Sequence, residues 1–152
     1  MTTYEEKQVF KLRWIFFPIA FFSLLPVLLV ADGKEGRVAL LITGVVLLLT
    51  GWLLLSMKQV IRIDEHGVSY KQGPFHRKFH QITWGDIQNW EVTKISPFSD
   101  FGGWGIRLTG KKKGYIIDGA YGLELQTNAK KIIVLSIKDK IATENAINQH
   151  IN

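Results

Sequence analysis

Cysteine is missing from this 152-residue chain. Its absence excludes a disulfide scaffold, a thiolate zinc site, an iron–sulfur cluster and a cysteine nucleophile. Acidic residues are the minority, 13 against 19 Lys and Arg, so the formal net charge is +6. With 21% charged and 47% hydrophobic residues the chain is not a disordered polyelectrolyte. Charge itself is missing from two long stretches. Residues 14–31 (WIFFPIAFFSLLPVLLVA) hold none over 18 positions, and residues 38–57 (VALLITGVVLLLTGWLLLSM) none over 20.

About 20 apolar residues at 1.5 Å per residue cross a hydrocarbon core of roughly 30 Å. Both runs meet that requirement, and the short polar connector 32–37 (DGKEGR) suits a turn between antiparallel spans. The sequence therefore predicts a transmembrane helical hairpin. A cleaved signal peptide ending near Ala31 fits less well, because the run is long and a second one follows. A soluble hairpin would need polar faces that neither run has. Lys7, Lys11 and Arg13 precede the first run, Lys34 and Arg37 lie in the connector, and 14 Lys and Arg follow Met57. This distribution predicts a multi-pass protein of the cell inner membrane with both termini cytoplasmic.

Neither run contains an ionisable residue, so the pattern argues against an ion path. Thr43, Gly44, Thr50 and Gly51 repeat at seven residues and predict one small-residue packing face, used within the hairpin or for self-association. Pro18 and Pro26 are expected to bend the first span.

Residues 58–152 carry a different period. Turn signals interrupt segments rich in Val, Ile, Tyr, Trp and Thr, which predicts strands. They fall at 59–63, 68–71, 79–84, 89–95, 104–109, 114–117, 123–127 and 131–137, with 96–103 as loop and 110–113 as a turn. Residues 137–151 then fit a helix, with Ile137, Ile141, Ala142, Asn145 and Ile147 to Ile151 on its apolar face and Asp139 near its start. The fold class is α+β: a membrane hairpin (residues 1–57) followed by a mostly-β barrel or sandwich of about seven strands capped by a C-terminal helix (residues 58–152).

ITWGDI at 82–87, GGWGIR at 102–107, Tyr115, the run from Gly119 to Leu125 and YKQGPFHRK at 70–78 together resemble the bacterial pleckstrin-homology-like membrane proteins. The resemblance covers nearly the whole chain. It implies two membrane helices before a cytoplasmic seven-stranded PH-like domain, and it implies no enzyme activity and no established ligand. Where members commonly have a Gly-Thr turn and a Pro-Glu helix start, this chain reads Ser136-Ile137-Lys138-Asp139-Lys140.

Most conspicuous residues read as structural. Trp84, Ile87 and Trp90 are expected in the core, and Asp86 is expected to accept backbone N–H bonds in a bend. The glycines around Trp104 suit a packing corner or a partner-binding loop, with Phe98 and Phe101 either exposed or folded under. The stretch from Gly105 to Lys112 mimics a phosphate loop but lacks the closing Ser or Thr and precedes a strand. His76 and His80 lack neighbouring ligands for a metal. No Ser-His-Asp or paired-carboxylate constellation is recognisable, so no catalytic residue, cofactor or small-molecule substrate is expected.

The excess charge offers a function. The segment after Met57 holds 14 basic and 9 acidic residues, net +5. Lys and Arg near an anionic leaflet contribute on the order of 1 kcal/mol each. Lys71, Phe75, Arg77, Lys78, Trp104, Arg107, Lys111, Lys112 and Lys113 are the candidate contacts to headgroups or a protein partner. Nucleic acid is disfavoured for want of a groove-reading element. The alternative is an accessory subunit that joins a membrane complex through its hairpin.

Overall fold

The computed structural model describes residues 4–29 and 33–151. It is α+β and divides into two compact units, residues 10–56 and a β-domain made of residues 1–9 and 57–152.

In the helical unit a 3-10 turn at Lys11–Ile15 leads into α1 (Phe16–Leu29), and α2 follows at Gly33–Ser56. The expected connector is largely helix: Gly33 to Arg37 are the first turns of α2, with Glu35 placed at the positive end of its dipole. Asp32 and the end of the first apolar run lie outside the described residues. Pro18 falls in the first turn of α1, where its missing N–H breaks no intrahelical bond, whereas Pro26 is interior. Gly51 is the buried residue of α2, and a Cβ there would come within 2.8 Å of the Phe16 ring. Gly44 has open space beside it. Thr43 is half-buried and Thr50 exposed. Among the described residues, α2 alone is long and apolar enough to cross a membrane; α1, at 14 residues, is a shorter apolar helix.

The β-domain holds two sheets. One has the order β1 (Tyr4–Val9), β2 (Lys58–Asp64), β3 (Gly67–Gly73), β4 (His80–Thr83), all antiparallel. The other has the order β5 (Ile87–Lys94), β8 (Tyr121–Thr127), β9 (Ile132–Ile137), β7 (Lys112–Ile116), β6 (Gly105–Thr109), in which β7 and β9 run parallel. A short α3 (Pro97–Phe101) precedes β6, and α4 (Lys140–Ile151) closes the chain. The described residues form nine strands, against the eight segments placed in the sequence for a barrel of about seven, and the unforeseen one is β1. Tyr4, Glu6 and Gln8 alternate with Glu5, Lys7 and Val9, and this period of two pairs along β2 from Tyr4 with Ile63 to Val9 with Lys58. Residues 10–56 are thus an insertion between two neighbouring strands.

Alternation builds the core. Ile61, Ile63, Val68 and Ile82 from the first sheet meet Leu123, Leu125, Leu135 and Ile137 from the second, and Ile147 of α4 joins them. Trp84, Ile87 and Trp90 pack against this cluster, as expected. The Trp84 indole N–H finds the Asp64 carbonyl at 3.0 Å, so the half-buried ring does not strand its donor. The β2–β3 turn is tight. The Asp64 carboxylate accepts the His66 backbone N–H, and a Cβ on Gly67 (φ +137°) would sit 2.0 Å from the Ile82 carbonyl oxygen.

Four local expectations change. Residues 97–101 form a helical turn, because Pro97 suits a first-turn position and Gly102 (φ +67°) supplies the left-handed cap. The turn between β6 and β7 is only Gly110-Lys111, since Thr109 pairs with Lys112. The Asp86 carboxylate accepts the Thr83 hydroxyl at 2.7 Å, not a backbone N–H. Finally, α4 buries Thr143, Ala146 and Ile147 while Ile141 is 71% exposed. Its phase is set by Asp139, whose carboxylate caps the Ala142 N–H at 2.9 Å.

Candidate functional site

The candidate contacts separate into three places. The first is the β3–β4 loop, residues 74–79. It begins at Gly73, which pairs with Lys58, the residue at which the chain has just returned from the helical insertion. A cis Gly73-Pro74 peptide starts it, and the His76 N–H returns to the Gln72 carbonyl at 2.8 Å. Phe75 is 62% exposed, and Arg77 and Lys78 are exposed beside it. Phe79 is held differently. The Arg62 guanidinium lies 4.3 Å from its ring centre and the Lys71 ammonium 5.8 Å away. These contacts fix Phe79 and Lys71 along the sheet and leave Phe75 as the projecting aromatic.

Behind the loop sits an aromatic cluster. The His76 and His80 rings are 4.2 Å apart, His76 lies 5.4 Å from Tyr115, and Tyr70 lies 4.7 Å from Tyr115. The Lys113 ammonium is 5.2 Å from the Tyr115 ring centre. Lys113 therefore belongs with the loop. Burial holds the His76 imidazole below its ordinary range, and the neighbouring His80 and Lys113 charges add to the effect. Burial likewise raises the Tyr70 hydroxyl, helped by its partner Tyr115.

The second place surrounds Trp104. This ring is half-buried and meets Phe98 edge-on at 4.6 Å, with Phe98 itself 66% exposed and Phe101 buried. Of the two Phe residues one is out and one folded under. The Arg107 guanidinium reaches back to Gly103, where a Cβ would stand 3.2 Å from its terminal nitrogen.

The third place is the rim of a groove on the five-stranded sheet, where Lys111 and Lys112 lie with Lys94. Lys112 is paired with Glu124 at 2.7 Å.

A buried polar row escaped the sequence reading. Gln8, Gln59 and Gln72 are register partners across β1, β2 and β3, and each is at most 1% exposed. The Ser136 hydroxyl lies 3.0 Å from Gln8 Oε1 and 3.1 Å from Gln59 Oε1, and it accepts the Ile117 N–H at 3.0 Å. One hydroxyl proton serves only one of the two glutamines. Gln8 also donates to the Ser136 carbonyl and to Glu6, whose carboxylate accepts the Lys138 N–H. Gln72 has no side-chain partner at either amide atom, and Gln59 Nε2 and His76 Nδ1 are also unpaired. Among the described residues, no group of three His, Cys, Asp or Glu is placed to hold a metal ion.

Comparison of the chain with protein-family models, with curated proteins and with solved structures finds no match.

Proposed function

We propose that the protein is a non-enzymatic, membrane-anchored binding module of the bacterial pleckstrin-homology-like kind. Its helical insertion spans the inner membrane twice, and its β-domain engages anionic lipid headgroups on the cytoplasmic side. The observation that carries this reading is the β3–β4 loop. An exposed Phe75 stands beside exposed Arg77 and Lys78, on a loop that starts opposite the strand residue following the helices. An aromatic ring at the headgroup level flanked by cations is what a surface-bound loop requires.

Two features support the double crossing. The pairing of β1 with β2 puts both ends of residues 10–56 in one sheet, which supports two crossings over one. The described uncharged residues 14–29 rise roughly 25 Å at about 2.0 and 1.5 Å per residue, with the uncharged sequence running on to residue 31, and α2 rises about 36 Å. Both are close to a hydrocarbon core of roughly 30 Å. One specific observation favours the accessory-subunit reading: Gly44 stands beside open space and lines an apolar groove of about 390 Å³ between α1 and α2.

The absence of native cysteine makes the test clean. Full-length Phe75→Cys, carrying a polarity-sensitive fluorophore, is reconstituted in neutral vesicles and in vesicles with an added anionic lipid. A blue shift that requires the anionic lipid and disappears in Arg77→Glu/Lys78→Glu is expected. Identical spectra in both vesicles overturn headgroup binding. For topology, an impermeant thiol reagent applied to intact cells should label Lys34→Cys and spare Glu65→Cys. The reverse pattern, or equal labelling, overturns the hairpin.

A further inference from the structure

Two of the four histidines meet at the Phe75 loop. His80 opens β4 and is the register partner of Tyr70 on β3, with the two rings stacked at 5.6 Å. His76 belongs to the loop itself. Its ring centre lies 4.2 Å from that of His80, 5.4 Å from Tyr115 and 6.4 Å from Tyr70. His76 is half-buried and His80 exposed. The other two histidines are elsewhere: His66 is in the β2–β3 turn, and His150 of α4 stacks on Trp84 at 5.9 Å.

The surroundings of His76 favour a neutral ring. The groups that face it are His80 from β4, Lys113 and Tyr115 from β7 and Tyr70 from β3, with Arg77 and Lys78 following it on the loop. All the charged ones are basic. Neither His76 nor His80 forms an ion pair with a carboxylate among the described residues. A second imidazolium at this ring distance, with an ammonium nearby, would be repelled. Hydrogen bonding opposes the charge as well. His76 Nδ1 is buried without a partner. Imidazolium donates from both nitrogens, so protonation in place would strand a donor there. A charged His76 is better served outside the cluster, donating to an external acceptor.

We propose that the loop is a proton-linked membrane contact: His76 takes up a proton as residues 75–78 engage an anionic headgroup, so acidification tightens the contact. The inference rests on the headgroup reading of this loop and adds its regulation. A headgroup phosphate supplies what the cluster lacks, a negative charge and an acceptor oxygen. His76 stands between Phe75 and Arg77 in the chain, so a ring turned out of the cluster enters the same contact. Linkage fixes the sign. A surface that binds the protonated form better brings the imidazole back up toward its ordinary range, and lower pH strengthens that binding by the same factor. Arg77 and Lys78 stay charged across this range, so they supply attraction and no pH dependence.

The test uses the full-length protein with the fluorophore at Phe75→Cys, in phosphatidylcholine vesicles with and without phosphatidylglycerol. Phosphatidylglycerol is a phosphodiester and keeps its charge throughout. The neutral vesicles correct for the probe's own response to pH. Between about pH 7.5 and about pH 5.5 the contact should tighten about fivefold, the value of one extra cation near an anionic leaflet. His76→Gln should keep the blue shift and lose its pH dependence. His66→Gln/His150→Gln should keep both. The His76 ring resonance, assigned by its loss in His76→Gln, should titrate at higher pH in the anionic vesicles than in the neutral ones. No blue shift at either pH overturns the headgroup reading and this inference with it. A blue shift that is equal at both pH values, or weaker at the lower one, overturns the proton linkage alone. So does a pH dependence that survives in folded His76→Gln, with folding checked by thermal melting at both pH values. If that variant does not fold, loss of the blue shift's pH dependence is read in His76→Asn, and equal His76 titration midpoints in the two lipids overturn the linkage in the unsubstituted loop.

Discussion

The inner face of the four-stranded sheet is apolar at one end and polar at the other. Ile63, Val68 and Ile82 form one row across β2, β3 and β4, buried against Leu and Ile of the second sheet. Four residues along, Gln8, Gln59 and Gln72 form another row across β1, β2 and β3, equally buried but hydrogen-bonded unevenly. The first row is fixed by area removed from water, which tolerates small shifts. The second is directional, so a slip of one residue in β1 would strand its amides. The difference assigns the rows separate work. The apolar row holds the sheets together, and the glutamine row holds β1, an edge strand joined to the rest of the domain through the whole helical insertion, in register.

The largest expected effect lies in the apolar row. Ile63→Ala should destabilise the domain by about 2–5 kcal/mol, read from denaturant unfolding in micelles, because the site is fully enclosed. A loss under about 1 kcal/mol would break the contrast at once. Next comes Ser136→Ala, which removes the acceptor of the buried Ile117 N–H and the contact with Gln8. About 1–3 kcal/mol should be lost, with faster hydrogen exchange concentrated in β1 and β2.

The third prediction sharpens the comparison within the glutamine row itself. Gln8 is bonded on both sides and Gln72 on neither. Gln72→Leu, close in volume, should leave stability unchanged or raise it by up to about 1 kcal/mol, whereas Gln8→Leu should lower it by about 1–3 kcal/mol. Equal losses would mean that Gln72 is satisfied by ordered water.

Two smaller effects are electrostatic. His76 is held below its ordinary value of about 6.5, so the unfolded chain binds its proton more readily. Its contribution is complete above that ordinary value and is lost as pH falls through it toward the folded value. Stability should decline on mild acidification, and His76→Gln should flatten the profile below about pH 6.5. Smallest is the exposed Lys112–Glu124 pair: Lys112→Met should cost less than about 1 kcal/mol, and added salt should shrink the difference.

Much of this was legible in the chain itself. The uncharged runs located both helices, and the turn signals at Asp64 to Gly67, Gly73-Pro74 and Asn128 to Lys130 placed most strands within two residues. Trp84, Ile87 and Trp90 read correctly as core residues because large rings beside turns have few other places to go. What failed to show had a common cause. Tyr4–Val9 is too short and too charged for its alternation to stand out from a membrane flank, and its partner strand lies some 50 residues away beyond the insertion. The phase of α4 also misled, because a polar Thr143 occupies a core position by bonding its hydroxyl to the Asp139 carbonyl at 2.7 Å. The nine candidate contacts looked like one basic surface because charge can be counted along a chain, but its direction cannot.

Residue order by itself determined what must leave water: two apolar runs, an alternating β-rich segment and a cationic excess concentrated after Met57. Those follow from transfer free energies and local period, which need no neighbours. Tertiary structure alone decided which residues share a surface. It joined β1 to β2 across the helices, lined three glutamines into one buried row, and drew His76 and His80 together with Lys113. Each of these depends on strand order and register, which arise only when distant segments pair and pack.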